Sequence, residues 1–135
     1  MKRLSTVSVI DDDKLFQFII TKLLESTKII DAILPFPNGR EALDYFLENK
    51  HHPELLPDLV FLDLDMPVMN GWEFLDQFSG NSFGKERITI YICTSSVNPR
   101  DMELYKHYAT VSGYKIKPIT KEELYLLLEK EISLQ

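Results

Sequence analysis

The sequence predicts an α/β fold, (βα)5, a doubly wound five-stranded parallel sheet with helices on both faces. Three observations carry this. Apolar strand-like runs alternate five times with segments of helical period, and such alternation builds a parallel sheet. The run "DLVFLD", Asp58–Asp63, is apolar almost throughout, as a strand covered on both faces should be. The chain has 135 residues, 44% of them hydrophobic, with no internal repeat, low-complexity tract or linker. That is the size of one domain, so a single domain over 1–135 with no output domain attached is expected.

The elements follow in order. Thr6–Ile10 is rich in β-branched residues and reads as the first strand. Lys14–Ser26 carries Leu15, Phe16, Ile19, Ile20, Leu23 and Leu24 with polar residues between, a helical spacing. Ile29–Leu34 is the second strand, expected to stop at Pro35 and Pro37. Asn38 and Glu41 have capping-box spacing and open a helix to about Asn49. "NKHHPELLP" is a loop, and the third strand lies in "DLVFLD". Gly71–Phe78 is a helix, "SGNSFGKE" a loop, and Ile88–Cys93 the fourth strand. Asn98-Pro99 pairs an N-cap with a proline at the first helical position, and that helix runs to about Tyr108. Val111–Ile116 is a shorter fifth strand. Thr120 with Glu123 opens a last helix that ends near Ile132. Right-handed crossovers restrict how these units connect.

Composition removes several function classes. The net charge of −6 offers no basic footprint for nucleic acid. The single cysteine, Cys93, cannot form a disulfide within the chain. In "ITIYICTS" it reads as a small buried hydrophobe in a reducing compartment. Charge interrupts the N-terminal segment before a signal sequence could form. No apolar run is long enough to cross a membrane. A soluble, cytoplasmic protein is expected.

In a parallel α/β sheet, ligands bind beyond the carboxyl ends of the strands. The polar residues collect there. Asp11, Asp12 and Asp13 follow the first strand, and Asp63 and Asp65 the third, in "FLDLDMPVMNG". Thr94, Ser95 and Ser96 follow the fourth, and Lys117 the fifth, in "GYKIKPIT". Only "PFPN" follows the second. At about 4 Å and an effective dielectric near 20, one pair of like charges costs on the order of 4 kcal/mol. A hard divalent cation such as Mg²⁺, with its preference for oxygen ligands, resolves that repulsion. A metal, a lysine and a hydroxyl around one carboxylate suit a phosphoryl group.

The segments "VIDDD", "PDLVFLDLDMPVMNG", "ICTSS" and "GYKIKP" together resemble the receiver domain of two-component response regulators. They stand in the right order at four strand ends, and the resemblance spans roughly Thr6 to Ile132. It is closest in kind to stand-alone, chemotaxis-type regulators. It implies the flavodoxin-like strand order 2-1-3-4-5. It implies that Asp63 is the phosphoacceptor and attacks a phosphohistidine to give an acyl phosphate. Asp12 would be a direct Mg²⁺ ligand beside Asp63, with Asp11 acting through water and Asp65 through its backbone carbonyl. Thr94 would bond a phosphoryl oxygen and Lys117 would pair with it. The Lys117–Pro118 bond would be cis. Thr94 and Tyr114 would form the switch, acting on the face built from the fourth helix, fifth strand and fifth helix. The implied partners are a sensor histidine kinase or a histidine phosphotransfer protein and an unidentified downstream protein, without direct nucleic-acid or membrane contact. A homodimer through the same face is a further expectation, which sizing with and without a phosphoryl mimic would test.

Some residues depart from the pattern. Asn70 stands where aspartate is usual and is read as a tolerated turn variant. Ser95 replaces a small apolar residue. Lys115 lies inside the fifth strand, where, on an edge, it would discourage edge-to-edge pairing.

Plainer readings stand beside these. Asp13 does no more than cap a helix, Ser96 begins a polar loop, and Tyr114 could be a static packed aromatic. His51 and His52 lie in a solvated loop without a third ligand nearby, His107 sits on a partly exposed helix, and Trp72 packs. Two other functions compete with this one. "FLDLDMP" resembles the D-x-D motif of haloacid-dehalogenase-like phosphohydrolases, although Pro67 and the short chain fit that family poorly. A receiver-like module that binds partners without phosphorylation would have lost an acidic, threonine or lysine position, and all are present.

Overall fold

The computed structural model describes residues 3–85 and 87–134. Five parallel strands form one sheet in the order β2-β1-β3-β4-β5. They are β1 (Leu4–Ile10), β2 (Ile30–Phe36), β3 (Leu59–Leu62), β4 (Thr89–Thr94) and β5 (Val111–Ile116). The helices are α1 (Lys14–Thr27), α2 (Gly39–Glu48), α3 (Gly71–Ser79), α4 (Pro99–Leu104) and α5 (Lys121–Ser133). The expected fold class and order are therefore present. Among the described residues, no helix is long and apolar enough to cross a membrane.

Side-chain alternation along the inner strands makes two cores. Ile10, Val60, Leu62, Ile90 and Ile92 face α2 and α3, where they meet Phe46, Phe74 and Phe78. Val7, Val9, Leu59, Phe61, Tyr91 and Cys93 face α1 and α5, where they meet Ile20, Leu24, Leu124 and Leu128. Strands buried on both faces need apolar residues at both phases of the pleat, which is why "DLVFLD" shows no alternation. Cys93 belongs to the second core. Burial pushes its thiol up to about 12. The folded protein is therefore expected to resist iodoacetamide at pH 8 and to react once unfolded; rapid alkylation of the native state would contradict this packing.

Two boundaries differ from the sequence reading for tertiary reasons, while others shift by one or two residues. β2 continues through Pro35, opposite Val9, to Phe36. Proline is tolerated there because β2 is an edge strand, with no ladder partner on one side. The fourth helix ends at Leu104 and tightens into a 3₁₀ turn over Tyr105–His107. Tyr105 packs 5.5 Å from the Tyr114 ring, and Tyr108 stacks 5.7 Å from Trp72, so tertiary contacts hold this end of the helix. The loop after α2 carries a short 3₁₀ turn, Pro53–Leu55, and His51 and His52 are exposed on it. β5 is the other edge strand, and Lys115 lies half-buried within it.

Local chemistry sets the helix starts. Asp13 accepts N–H bonds from Leu15 and Phe16 at 3.0 and 3.1 Å, so it caps α1. Asn38 and Thr120 accept from the third residue of their helices. Asn70 caps α3 in a full capping box with Glu73. Its place in the turn is thus a helix cap, a position that asparagine fills as well as aspartate does. Glu131 is buried on α5; it accepts the Tyr91 hydroxyl at 2.8 Å and pairs with Arg87 at 3.3 Å. This joins α5 to β4 by a charge-assisted bond inside the second core.

Candidate functional site

The site forms where β1, β3, β4 and β5 end. Asp11 and Asp12 begin the three-residue loop from β1 to α1. Asp11 donates its backbone N–H to the Phe36 carbonyl at 3.0 Å, and its carboxylate accepts the Asp13 N–H at 2.9 Å. Asp63 follows β3 directly. Its N–H donates to the Ile10 carbonyl at 3.0 Å, and its carboxylate accepts the Leu64 N–H at 2.8 Å. Both carboxylates are thus placed by the ladder of β1 with its neighbours.

Asp11, Asp12 and Asp63 each offer a carboxylate oxygen, and these oxygens lie within 4.8 Å of one another. Asp12 is exposed; Asp11 and Asp63 are buried. Lys117, beyond β5, places its Nζ 2.7 Å from Asp11 Oδ2 and 3.5 Å from Asp63 Oδ2. The 2.7 Å contact is an ion pair, so the ammonium is the partner of this buried Asp11 oxygen. Three converging carboxylates, more negative charge than one ammonium balances, fit an oxygen-seeking divalent cation.

The electrostatics agree. Burial raises the Asp11 carboxyl to about 6, against the pull of Lys117, and the charge of Asp63 adds to the rise. Burial works to lower the Lys117 ammonium, but Asp11 and Asp63 outweigh it and hold its pKa above the ordinary lysine value. Two carboxylates and one ammonium leave the buried part of the site net negative, before Asp12 is counted.

The Lys117–Pro118 bond is cis. The Lys117 N–H donates to the Thr94 carbonyl at 2.8 Å, tying the end of β5 to the end of β4. Thr94 is buried, and Ser96 N–H reaches its hydroxyl at 3.4 Å. Tyr114 is half-buried, with its hydroxyl donating to the Ser96 carbonyl at 2.9 Å. Asp65 is exposed two residues past Asp63, and Ser95 is exposed beyond Thr94.

Several contacts were not legible beforehand. Phe16 sets its ring 4.2 Å from Lys117 Nζ, a cation–π contact that limits where the ammonium can go. Ser96 does more than start a loop: its hydroxyl donates to Asp101 at 2.7 Å. Asp101 also accepts the Trp72 indole N–H at 3.3 Å, so Trp72 packs and hydrogen-bonds. Val68 takes φ 70 in the loop between Asp63 and α3. A β-branched residue there carries strain, and the neighbouring Met69 N–H to Pro67 carbonyl bond of 2.8 Å closes the tight turn. Nothing in "MPVMNG" marks valine rather than asparagine or glycine for that conformation.

Comparisons with known proteins bear on this geometry. Residues 7–129 match the response regulator receiver domain. No curated protein sequence matches the chain. Among solved structures, a two-component response regulator from Cytophaga hutchinsonii is similar at 26% identity, over 98% of this chain and 99% of that one, with a TM-score of 0.81. A Vibrio cholerae chemotaxis protein is similar at 24% identity, over 94% of this chain and 98% of that one, with a TM-score of 0.76. The receiver domain of a Pseudomonas aeruginosa sensor histidine kinase is similar at 19% identity, over 95% and 97%, with a TM-score of 0.75; it has a magnesium ion coordinated in its active-site cleft.

Proposed function

This chain belongs to the response regulator receiver domain family, and on that premise we propose that it is a phosphoacceptor switch in which Asp63 takes a phosphoryl group from a histidine kinase or histidine phosphotransfer protein. The observation that carries the reading is the placement of Lys117 Nζ, 2.7 Å from Asp11 and 3.5 Å from Asp63, beside three converging carboxylates.

Asp12 and Asp63 would hold Mg²⁺ directly, with the Asp65 backbone carbonyl, and Asp11 through water. When bound, Mg²⁺ supplies positive charge against the carboxylates and phosphoryl oxygens. The magnesium held by the similar Pseudomonas receiver supports this choice of ion. An Asp63 oxygen attacks phosphorus in line with the phosphohistidine. The new P–O bond forms as the P–N bond breaks, and the electron pair leaves with the imidazole nitrogen. Lys117 turns its ammonium to a phosphoryl oxygen, and the Thr94 hydroxyl donates to another. Positioning and charge neutralisation do most of the work in such transfers. Movement of Thr94 frees Tyr114 from the Ser96 carbonyl and changes the α4–β5–α5 face, where Leu104, Ile116 and Leu126 are exposed. That face then meets the downstream protein.

Intact mass after incubation with Mg²⁺ and acetyl phosphate tests the assignment. One phosphoryl adduct is expected, absent without Mg²⁺ and absent in Asp63→Asn. An adduct that persists in Asp63→Asn would move the acceptor elsewhere.

A further inference from the structure

We propose that Gln17 is a positioning residue that braces the β1–α1 loop and thereby sets the affinity of the site for Mg²⁺, an inference that rests on the cation-dependent reading above. Gln17 lies half-buried in the first half of α1. Its amide nitrogen is 2.9 Å from the Val9 carbonyl, 3.1 Å from the Asp11 carbonyl and 3.0 Å from the Phe36 carbonyl. One NH₂ group thus serves three acceptors: one on β1, one at the end of β2 and one on the acidic loop. Its Oε1 is buried without a hydrogen-bond partner. Flipping the amide would press that oxygen against three carbonyls, so the surroundings fix which end is the donor. The arrangement commits the donor end to carbonyl groups of three segments.

The acidic loop needs such a clamp. Asp11, Asp12 and Asp63 hold carboxylate oxygens within 4.8 Å of one another, and like charges at that range push apart. Asp11 and Asp12 sit on a loop of only three residues, whose far end is anchored by the Asp13 cap. At its near end, the Asp11 carbonyl accepts the Gln17 amide. If that bond is lost, the loop can relax to spread the carboxylates, and a cation must then draw them back at the expense of its own binding. Groups that orient metal ligands in this way typically carry ten- to hundred-fold in affinity. Gln17 acts through its amide nitrogen, which is committed to the three carbonyls. Its effect passes through Asp11 and Asp12.

The test is Mg²⁺ titration by calorimetry on the wild type, Gln17→Met, Gln17→Ala and Leu24→Ala, with urea unfolding of each in the absence of Mg²⁺. Methionine keeps the length of the side chain without the donor. Alanine admits water and stands in if the methionine variant does not fold. Leu24 is a core residue of the same helix, remote in sequence from the loop, and reports the effect of lost stability alone. Mg²⁺ binding at least ten-fold weaker in the Gln17 variants is expected, with Leu24→Ala within two-fold of the wild type at a temperature where all are folded. Wild-type affinity in the Gln17 variants overturns the inference, as does an equal loss in Leu24→Ala. A wild type that binds no Mg²⁺ overturns the cation-dependent reading itself, and this inference with it.

Discussion

Gly71→Ala is expected to destabilise the protein by about 3 kcal/mol and to cut phosphoryl uptake by Asp63. Gly71 is the first residue of α3, and its N–H donates to the Leu64 carbonyl at 2.9 Å. A Cβ built there would lie 2.5 Å from the Asp63 carbonyl oxygen and 2.9 Å from the Leu64 Cα. Both are backbone atoms, so no rotamer change relieves the clash. Either α3 moves off the sheet or the chain carrying Asp63 shifts, and the second disturbs the distance to Lys117. Gly80→Ala is the control. A Cβ there meets nothing closer than 3.7 Å, and Gly80 has φ −82, so the change should be neutral or slightly stabilising. Thermal melts with intact-mass phosphorylation would check both. A Gly71→Ala protein as stable and as readily phosphorylated as wild type would refute the close approach of α3 to β3.

Asp12→Asn is expected to stabilise the cation-free protein while removing its response to Mg²⁺. The side chain is exposed, and it stands within 4.8 Å of two other carboxylate oxygens. Removing its charge relieves repulsion and breaks neither the Asp13 cap nor the Asp11–Lys117 ion pair. In the wild type, Mg²⁺ at a hundred times its dissociation constant should stabilise by about 2.7 kcal/mol, a rise in melting temperature on the order of 10 °C for a chain of this size. The variant should melt higher than wild type without Mg²⁺ and show almost no shift with it. The order of stabilities therefore reverses when Mg²⁺ is added. Retention of the full shift in Asp12→Asn would exclude this residue as a ligand.

Most of the fold was legible in the sequence because its causes are local. Asp13, Asn38, Asn98 and Thr120 are helix caps by side-chain chemistry, and "DLVFLD" is a covered strand by its unbroken apolar run. The acidic, hydroxyl and lysine residues were readable as one site because parallel α/β topology brings strand ends together. Their mutual distances were not. Asp11, Asp63 and Lys117 are far apart in the chain, and only the β1–β3 ladder and the β4–β5 edge set the spacing of 2.7 and 3.5 Å.

The alternation of strands and helices, the caps that begin those helices and the chemical identity of the groups at the strand ends are written in the chain itself. Each depends on neighbours within a few residues. The tertiary structure alone decided that β2 could run through Pro35, because edge position depends on the whole sheet. It alone decided that Ser96, Asp101, Trp72 and Tyr114 share one set of hydrogen bonds, and that Gln17 reaches three carbonyls from different segments. A side-chain amide or hydroxyl in a helical pattern reads the same whether it meets water or a distant backbone. Only the packing of whole elements, driven by burial of the two cores, brings its partner within hydrogen-bonding distance.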